Sequence, residues 1–410
     1  MKKIESLLYI SLGNLPSKMA HTVQIAKMAQ SLSQKVEDFS LLTSGDIVSA
    51  FKGMDSEFKN WYGLTQQFNV VRLPVQLHAK YPFPQNYYSQ KYFKLATLYA
   101  CLKSPSFVYT RSNPIVASLL KIGIPVLWER HDLLEENLEP DSLYHQFINS
   151  KNAVGLITLS SDLAESYINN GFDPEKILIA HSGVDLSNFQ ADLSKDVARK
   201  MRSLPQQAKI VLYSGHLYDY KGIPTLIETA ALLPEYQFVL VGGWQQDIDR
   251  AQIACQQKNI DNVRFIGHVS QTELATYLYA ADILILPTSK KWNLSSTTSP
   301  LKLFDYMAAK RPIVASALPN IMTVLRDGEN ALLVEPDEPA AFKQAIVNLL
   351  ENPSLANSLV QCAAKEVKNY TWDRRTDLVL KFAAERLEKM SLNIDNFSQN
   401  RLKYLKNMLK

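Results

Sequence analysis

The stretch Ser299–Ser316, "SPLKLFDYMAAKRPIVAS", sets one ammonium, Lys302, and one carboxylate, Asp305, three residues apart in a run with a helical apolar period. At 100° per residue, Leu301, Leu303, Phe304, Met307 and Ala308 share one arc, while Lys302, Asp305 and Ala309 lie opposite. Taken alone, the two charges are a solvated ion pair worth on the order of 0.3 kcal/mol. The ends of the run point further. Ser299 suits the N-cap, Pro300 suits the first helical position, and Pro312 stops the run, which predicts a helix of about three turns. The apolar runs "ADILILP" (Ala281–Pro287) and "PIVAS" (Pro312–Ser316) flank it, giving the order strand, loop, helix, strand. In such a unit the helix start lies at the carboxyl edge of a parallel sheet, where free N–H groups and the dipole favour an anion. The cap of this helix is therefore a candidate phosphate site.

Other chemistry-bearing residues have an ordinary explanation when read singly. Lys221, before Gly222 in "YDYKG", reads as a surface lysine, and His131 in "ERHD" as a satisfied histidine at a strand end. "DID" at Asp247–Asp249 imitates a metal-binding Asp-x-Asp pair. It opens a helix after a glycine turn, where acidic side chains already complement the dipole, so no metal is expected. "VGG" lacks the Gly-x-Gly-x-x-Gly spacing of a dinucleotide fingerprint, which argues against a nicotinamide enzyme.

The elements that must hold these residues alternate regularly. Candidate strands in the first half are Ser6–Leu12, Phe39–Ser44, Asn69–Val75, Phe107–Arg111, Pro125–Arg130, Val154–Ser160 and Ile177–Asp185, with helical runs such as His21–Lys35 and Ser161–Gly171 between some of them. The second half repeats the style at Lys209–Leu217, Gln237–Gly243 and Asn262–Val269 before reaching the Ser299 helix. The pattern is α/β, two doubly wound Rossmann-like domains. Phe189–Gln207 is polar and unpatterned, which makes it the expected linker. The expected boundaries are 1–190, 191–369 and 370–410, with the helix in Tyr370–Met390 crossing back to the first domain.

Composition narrows the class. A chain of 410 residues exceeds one core, and 46% hydrophobic with 20% charged residues is ordinary for a globular protein. A net charge of +4 does not argue for nucleic acid as partner. Three cysteines, Cys101, Cys255 and Cys362, without metal spacing suit a reducing compartment, so a cytoplasmic location is expected. The opening "MKKIESLLYISLGNLPSK" reads as a first strand and loop rather than a leader, and no apolar run approaches the roughly 18 residues a membrane span needs. Aromatic and basic residues interleave between Phe51 and Leu102, and "RLKYLKNMLK" (Arg401–Lys410) has a basic amphipathic pattern. Both suit either ordinary packing and a solvated tail or peripheral contact with an anionic membrane.

Several segments, taken together in chain order, resemble the retaining GT-B glycosyltransferases of family four. They are "SLGNLPSKMAHTVQIAKMAQSL", "WERHDL", "HSGVDLSNF", "LYSGHLYDYKGIPTLIETA", "FVLVGG", "VRFIGHVSQTELATYLYAADILILPT" and "SPLKLFDYMAAKRPIVAS", and the likeness extends over roughly residues 5–385. It implies two Rossmann-like domains facing across a cleft and a nucleotide-diphosphate-sugar co-substrate with no further cofactor. The implied acceptor is a glycan or lipid-linked molecule in cell-surface polysaccharide synthesis, met in the cytoplasm or at the inner membrane face. By the same resemblance Lys221, His216 and the helix start at Ser299, Pro300, Leu301 and Lys302 contact the donor diphosphate, Asp305 holds the ribose, and Gly267 and His268 lie on the base side. Gly13 lets a loop approach the reacting groups, and His131 contacts donor sugar or acceptor.

The sequence departs from the family in three places. His216 stands where an arginine is usual, and Thr297 and Asp305 stand where the family has a pair of glutamates. The subset with "SPLKLF" often lacks the first glutamate, so these changes read as subfamily character. A non-catalytic scaffold and a nucleotide-sugar epimerase on the same fold are the alternatives.

Overall fold

The computed structural model describes residues 4–13, 15–17, 19–46, 48–76, 85–134, 139, 141–189, 193–291 and 299–390. The chain divides into two compact units. One takes the chain as far as His181 together with the segment from Trp372 onward, and the other runs from Ser182 to Thr371.

The first unit is built on seven parallel strands, β1 (Ser6–Ile10), β2 (Asp38–Asp46), β3 (Val70–Gln76), β4 (Phe107–Thr110), β5 (Val126–Glu129), β6 (Ala153–Thr158) and β7 (Ile177–Ile179), in the order β3-β2-β1-β4-β5-β6-β7. The central strands are continuous apolar runs because helices cover both faces of a parallel sheet. Every residue of β4, β5 and β6 is buried. Pro74, which lacks a donor for the ladder, is confined to the edge strand β3. The core includes Trp128, stacked on Tyr144 at 5.2 Å and tilted against Phe147 at 5.1 Å. Such a ring contributes roughly 2 kcal/mol by burial.

The Ala20–Ser33 helix buries Ile25, Ala26, Met28, Ala29 and Leu32. The Trp372–Lys389 helix lies alongside it, with Ser31 Oγ donating to the Trp372 carbonyl and Lys35 paired to Asp373 and Asp377. Gly155 on β6 makes a second close contact with this last helix. A Cβ there would meet the Phe382 ring at 2.6 Å, so only glycine leaves room.

The second unit has six parallel strands, β8 (Ile210–Ser214), β9 (Gln237–Val241), β10 (Val263–Gly267), β11 (Ile283–Leu286), β12 (Ile313–Ser316) and β13 (Leu332–Val334), in the order β10-β9-β8-β11-β12-β13. Both sheets reverse their winding once, between β1 and β4 and between β8 and β11. Carboxyl ends of strands at such a reversal leave a crevice where ligands of open α/β sheets bind.

Four expectations are corrected or limited. The stretch read as a linker contains a docked helix, Lys195–Met201: Ala198 and Leu204 join the second core, and Arg199 is held by Asp282 at 2.6 Å. The Ser299 helix is shorter than three turns, spanning Leu301–Ala308 with Pro300 as the N-cap. Ser299 lies outside it, and its hydroxyl accepts from the Ser182 amide at 3.0 Å. The aromatic stretch after Phe51 supplies core: Phe58, Tyr62 and Tyr92 are fully buried, and Trp61 donates to the Ser17 carbonyl. Thr297, residues 77–84 of the aromatic stretch and the basic segment 401–410 lie outside the described residues. Among the described residues, no helix is long and apolar enough to cross a membrane.

Candidate functional site

In the second unit, the chain leaves β8 through Gly215 (φ +132°), leaves β9 through Gly242 and Gly243, and leaves β10 at Gly267 (φ +81°). The backbones pack closely here. A Cβ on Gly242 would stand 2.5 Å from the Gly215 carbonyl oxygen, and the Gly242 N–H donates to the Gly267 carbonyl at 2.7 Å. The edge is thus a row of peptide groups with few side chains above it.

Two lysines reach this edge. Lys302, in the first turn of the Leu301–Ala308 helix, brings its Nζ to 3.9 Å from the Tyr213 ring centroid, where a Cβ on Gly215 would meet it at 2.5 Å. Among the described residues it makes no ion pair with Asp305, contrary to the solvated-pair reading, and has no hydrogen-bond partner. Burial, then the neighbouring Lys221 charge, hold its pKa well below the ordinary lysine value. Lys221 ends a short turn before Gly222 (φ +79°), and burial brings its pKa down to about 8. That turn is fixed by contact, since a Cβ on Gly222 would overlap the Pro287 carbonyl oxygen at 1.6 Å.

His216 follows Gly215 and stacks between Tyr218 at 5.1 Å and Trp244 at 5.9 Å. Desolvation and the charges of Lys302, His268 and Lys221 lower its pKa, so the ring is neutral at pH 7. Its Nδ1 is buried without a hydrogen-bond partner. Where an arginine would place a fixed charge, this chain places a flat neutral ring. Asp305 lies half-buried one turn beyond Lys302, beside Tyr306, whose hydroxyl accepts from the Ser214 amide at 2.8 Å. The amides of Leu301 and Lys302 precede the first intrahelical bond, which Leu303 N–H makes to the Pro300 carbonyl at 3.1 Å. Gly267 ends β10 and the exposed His268 follows it, with β9 and β8 lying between β10 and β11, the strand that leads into this helix. Asp247 is engaged by Arg250 at 3.0 Å within its own helix.

In the first unit, His131 lies just past β5. Its Nε2 meets Glu129 Oε1 at 2.5 Å, and Glu129 also accepts from Gln24 Nε2 at 2.7 Å and from the Tyr109 hydroxyl. Arg375, from the Trp372–Lys389 helix, completes the group at 3.1 Å from the same carboxylate. Burial alone would raise the Glu129 pKa, but the Arg375 charge and the His131 hydrogen bond win and set it at about 2. His131 moves the other way, to about 4, because burial and the Arg111 charge outweigh Glu129. With Nε2 donating to a carboxylate, the neutral ring keeps Nδ1 as an acceptor. Gly13 follows β1 with φ +124°, and a Cβ there would meet no protein atom within 4 Å, so its glycine answers to backbone conformation rather than to protein packing.

Sequence reasoning placed Lys221, Lys302, His216, Asp305, Gly267 and His268 in the second unit, and Gly13 and His131 in the first. It missed Glu129, Arg111 and Arg375. Glu129 carried a signal, since residues two apart on a strand share a face and "ERH" pairs a carboxylate with an imidazole.

Residues 208–352 match the family model described as glycosyl transferases group 1. A D-inositol 3-phosphate glycosyltransferase of Streptomyces scabiei is 27% identical over 214 residues, covering 49% of this chain and 47% of that protein. The chain thus spans about half the length of the curated relatives it matches. Among solved structures, Anabaena Alr3699/HepE in complex with UDP and glucose superposes with a TM-score of 0.70 at 15% identity, covering 95% of this chain and 100% of that one. Sucrose-phosphate synthase of Thermosynechococcus elongatus gives 0.72 at 20% identity, covering 93% and 98%. These likenesses and the paired parallel sheets give the fold as GT-B.

Proposed function

We propose that this GT-B protein, with a glycosyl transferases group 1 match across its second unit, transfers a sugar from a nucleotide-diphosphate donor to a glycan or lipid-linked acceptor with retention of configuration. The observation that carries this reading is Lys302. An ammonium held among aromatic and backbone groups with no anionic partner among the described residues, and with a second lysine near enough to depress its pKa, is costly in the free protein. A diphosphate laid across the glycine edge offsets both charges and meets the helix-start amides.

In this reading the second unit holds the donor and the first the acceptor. Lys221 and Lys302 stabilise the charge that gathers on the diphosphate as the C1–O bond breaks. The acceptor oxygen bonds to C1 on the same face, and its proton passes to the departing phosphate oxygen. His131 presents Nδ1 to the acceptor hydroxyl, and Asp305 accepts from the ribose. The two lysines supply the positive charge, so turnover proceeds without a metal and survives a chelator. Work at the inner membrane face on a cell-surface glycan is the expected setting. Binding of the full chain to anionic vesicles would test the part assigned to residues 401–410.

A second reading is favoured by one observation. His216 is neutral where the resemblance calls for a fixed cation, as expected of a scaffold that binds nucleotide sugar without turning it over. One screen separates the two: thermal unfolding and donor hydrolysis with UDP, GDP, ADP and their sugar conjugates. A nucleotide that raises Tm together with slow hydrolysis of its conjugate supports the transferase. Binding with no turnover in any acceptor mixture supports the scaffold, and no binding at all removes both.

A further inference from the structure

The winding reversal in the first sheet, between β1 and β4, encloses a cavity of about 390 Å³ built wholly from that unit. This is room enough for a small polar ligand. Two helices begin at its wall: His21 belongs to the first turn of the Ala20–Ser33 helix, and Ser112, Asn113 and Pro114 open the ten-residue Asn113–Ile122 helix. Arg111, directly after β4, lines it as well. Arg111 has no hydrogen bond or ion pair among the described residues, and Asp132, a carboxylate whose field it feels, is already paired to Arg130. Tyr9 is also in the wall, 1% exposed, and its hydroxyl is buried without a partner.

A guanidinium without an anion among the described residues, an unused phenol and two helix starts are complementary to one kind of guest. We propose that this cavity binds a phosphate group carried by the acceptor, with Arg111 as its principal ligand and the Tyr9 hydroxyl and the first turn of the Asn113–Ile122 helix as further donors. This rests on reading the first unit as the acceptor side. The Arg111 charge also acts on His131, so a phosphate seated here lies within electrostatic range of the imidazole assigned to the acceptor hydroxyl. The guanidinium fork suits an oxyanion better than an ammonium would, because it offers two parallel donors. The depressed pKa of Arg111, caused first by desolvation, agrees with a cation whose partner is the ligand.

The test titrates inorganic phosphate into the full-length protein by calorimetry, for the wild type, Arg111→Gln, Arg111→Lys and Lys221→Ala. Binding that survives Lys221→Ala, weakens at least tenfold in Arg111→Gln and recovers partly in Arg111→Lys supports the proposal. Binding unchanged in folded Arg111→Gln overturns it. Should Arg111→Gln fail to fold, hydrogen exchange on the wild type decides. Phosphate must slow the amides of Asn113, Ile115 and Val116, and protection confined to residues 299–305 overturns the proposal.

Glycerol 3-phosphate and vesicles containing farnesyl phosphate then separate a soluble from a lipid-linked source. Binding of either supports the site and names its class, and binding of neither overturns it. Nucleotide-sugar binding is measured in parallel on the wild type. Donor turnover without phosphate binding removes this inference alone, whereas phosphate binding at Arg111 with no nucleotide binding removes the donor reading and leaves the cavity.

Discussion

The Arg375 guanidinium lies 3.1 Å from the Glu129 carboxylate, with 3% of one side chain and none of the other exposed. A buried pair of this kind contributes little relative to an apolar substitute, but removing one partner strands the other charge. Arg375 also donates to the His181 carbonyl at 3.0 Å and to the Tyr109 hydroxyl at 3.2 Å, so the helix that carries it is tied to three places in the first unit.

Arg375→Met should therefore destabilise the first unit by roughly 3–5 kcal/mol. The double variant Arg375→Met with Glu129→Gln should recover part of this loss. Native-state hydrogen exchange in β5 reads both. A single variant that costs less than about 1 kcal/mol would show the pair to be dispensable.

Acid should weaken the first unit in two windows. His131 titrates at about 4 in the folded protein and near the ordinary 6.5 when unfolded, so between these values the unfolded chain binds more protons and stability falls as pH drops. The window is worth on the order of 3 kcal/mol. Glu129, at about 2 against an ordinary 4.5, contributes stability that is present above 4.5 and lost as pH falls through about 2. His131→Gln should flatten the upper window and, because the His131 hydrogen bond helps to hold the Glu129 pKa down, move the lower one toward higher pH. His21 and His181, whose pKa values burial also lowers, keep some slope in the upper window. A His131→Gln profile that superimposes on the wild type would assign the titration elsewhere.

The lysines of the second unit predict a trade between stability and binding. Lys302→Met keeps most of the stem and removes a buried charge, so Tm of the ligand-free protein should rise while nucleotide affinity falls at least tenfold. Lys221 loses its proton near 8 when folded and near the ordinary lysine value when unfolded, so ligand-free stability rises with pH across that range. Donor affinity should move the opposite way, declining above pH 8 as the ammonium is lost. Calorimetry in buffers of different ionisation enthalpy should register proton uptake on binding; none would mean that these lysines do not meet the phosphates.

Two glycines with similar φ should respond differently to alanine. At Gly222 the added Cβ meets the Pro287 carbonyl oxygen at 1.6 Å, whereas at Gly171 (φ +89°) it meets nothing within 4 Å. Gly171→Ala should cost about 1 kcal/mol from backbone strain alone. Gly222→Ala should cost several times as much and lower turnover, because the end of β11 or the Lys221 turn must move. Equal melting temperatures for the two variants would refute the close-contact argument.

The strands of both sheets were legible because parallel strands covered on both faces read as plain apolar runs. β13 was not: its three residues are half-buried and too few to show a periodic pattern, even though the Asp327–Gly328 turn precedes them. The Lys195–Met201 helix was hidden for another reason, since its inward face carries Ala198 and Arg199, and the arginine is buried only because Asp282 waits on another element. Lys302 stood beside a candidate anion-binding helix start, whereas Lys221 reads singly as a surface lysine and was singled out only by the family resemblance. The Arg375–Glu129 pair could not be picked out, because nothing local to either residue specifies a partner in a different part of the chain.

That the first unit gives up the chain at His181 and recovers it at Trp372 has a consequence for synthesis on the ribosome. The unit whose strands emerge first is the last to be finished, whereas the second unit is contiguous and can close as soon as it is made. A nascent chain arrested before Trp372 carries a Glu129 with no counterion, and an Ala20–Ser33 helix and a Gly155 notch that nothing yet covers. Chaperone capture in this protein should therefore depend on arrest position, and should end abruptly once the Trp372–Lys389 helix clears the exit tunnel.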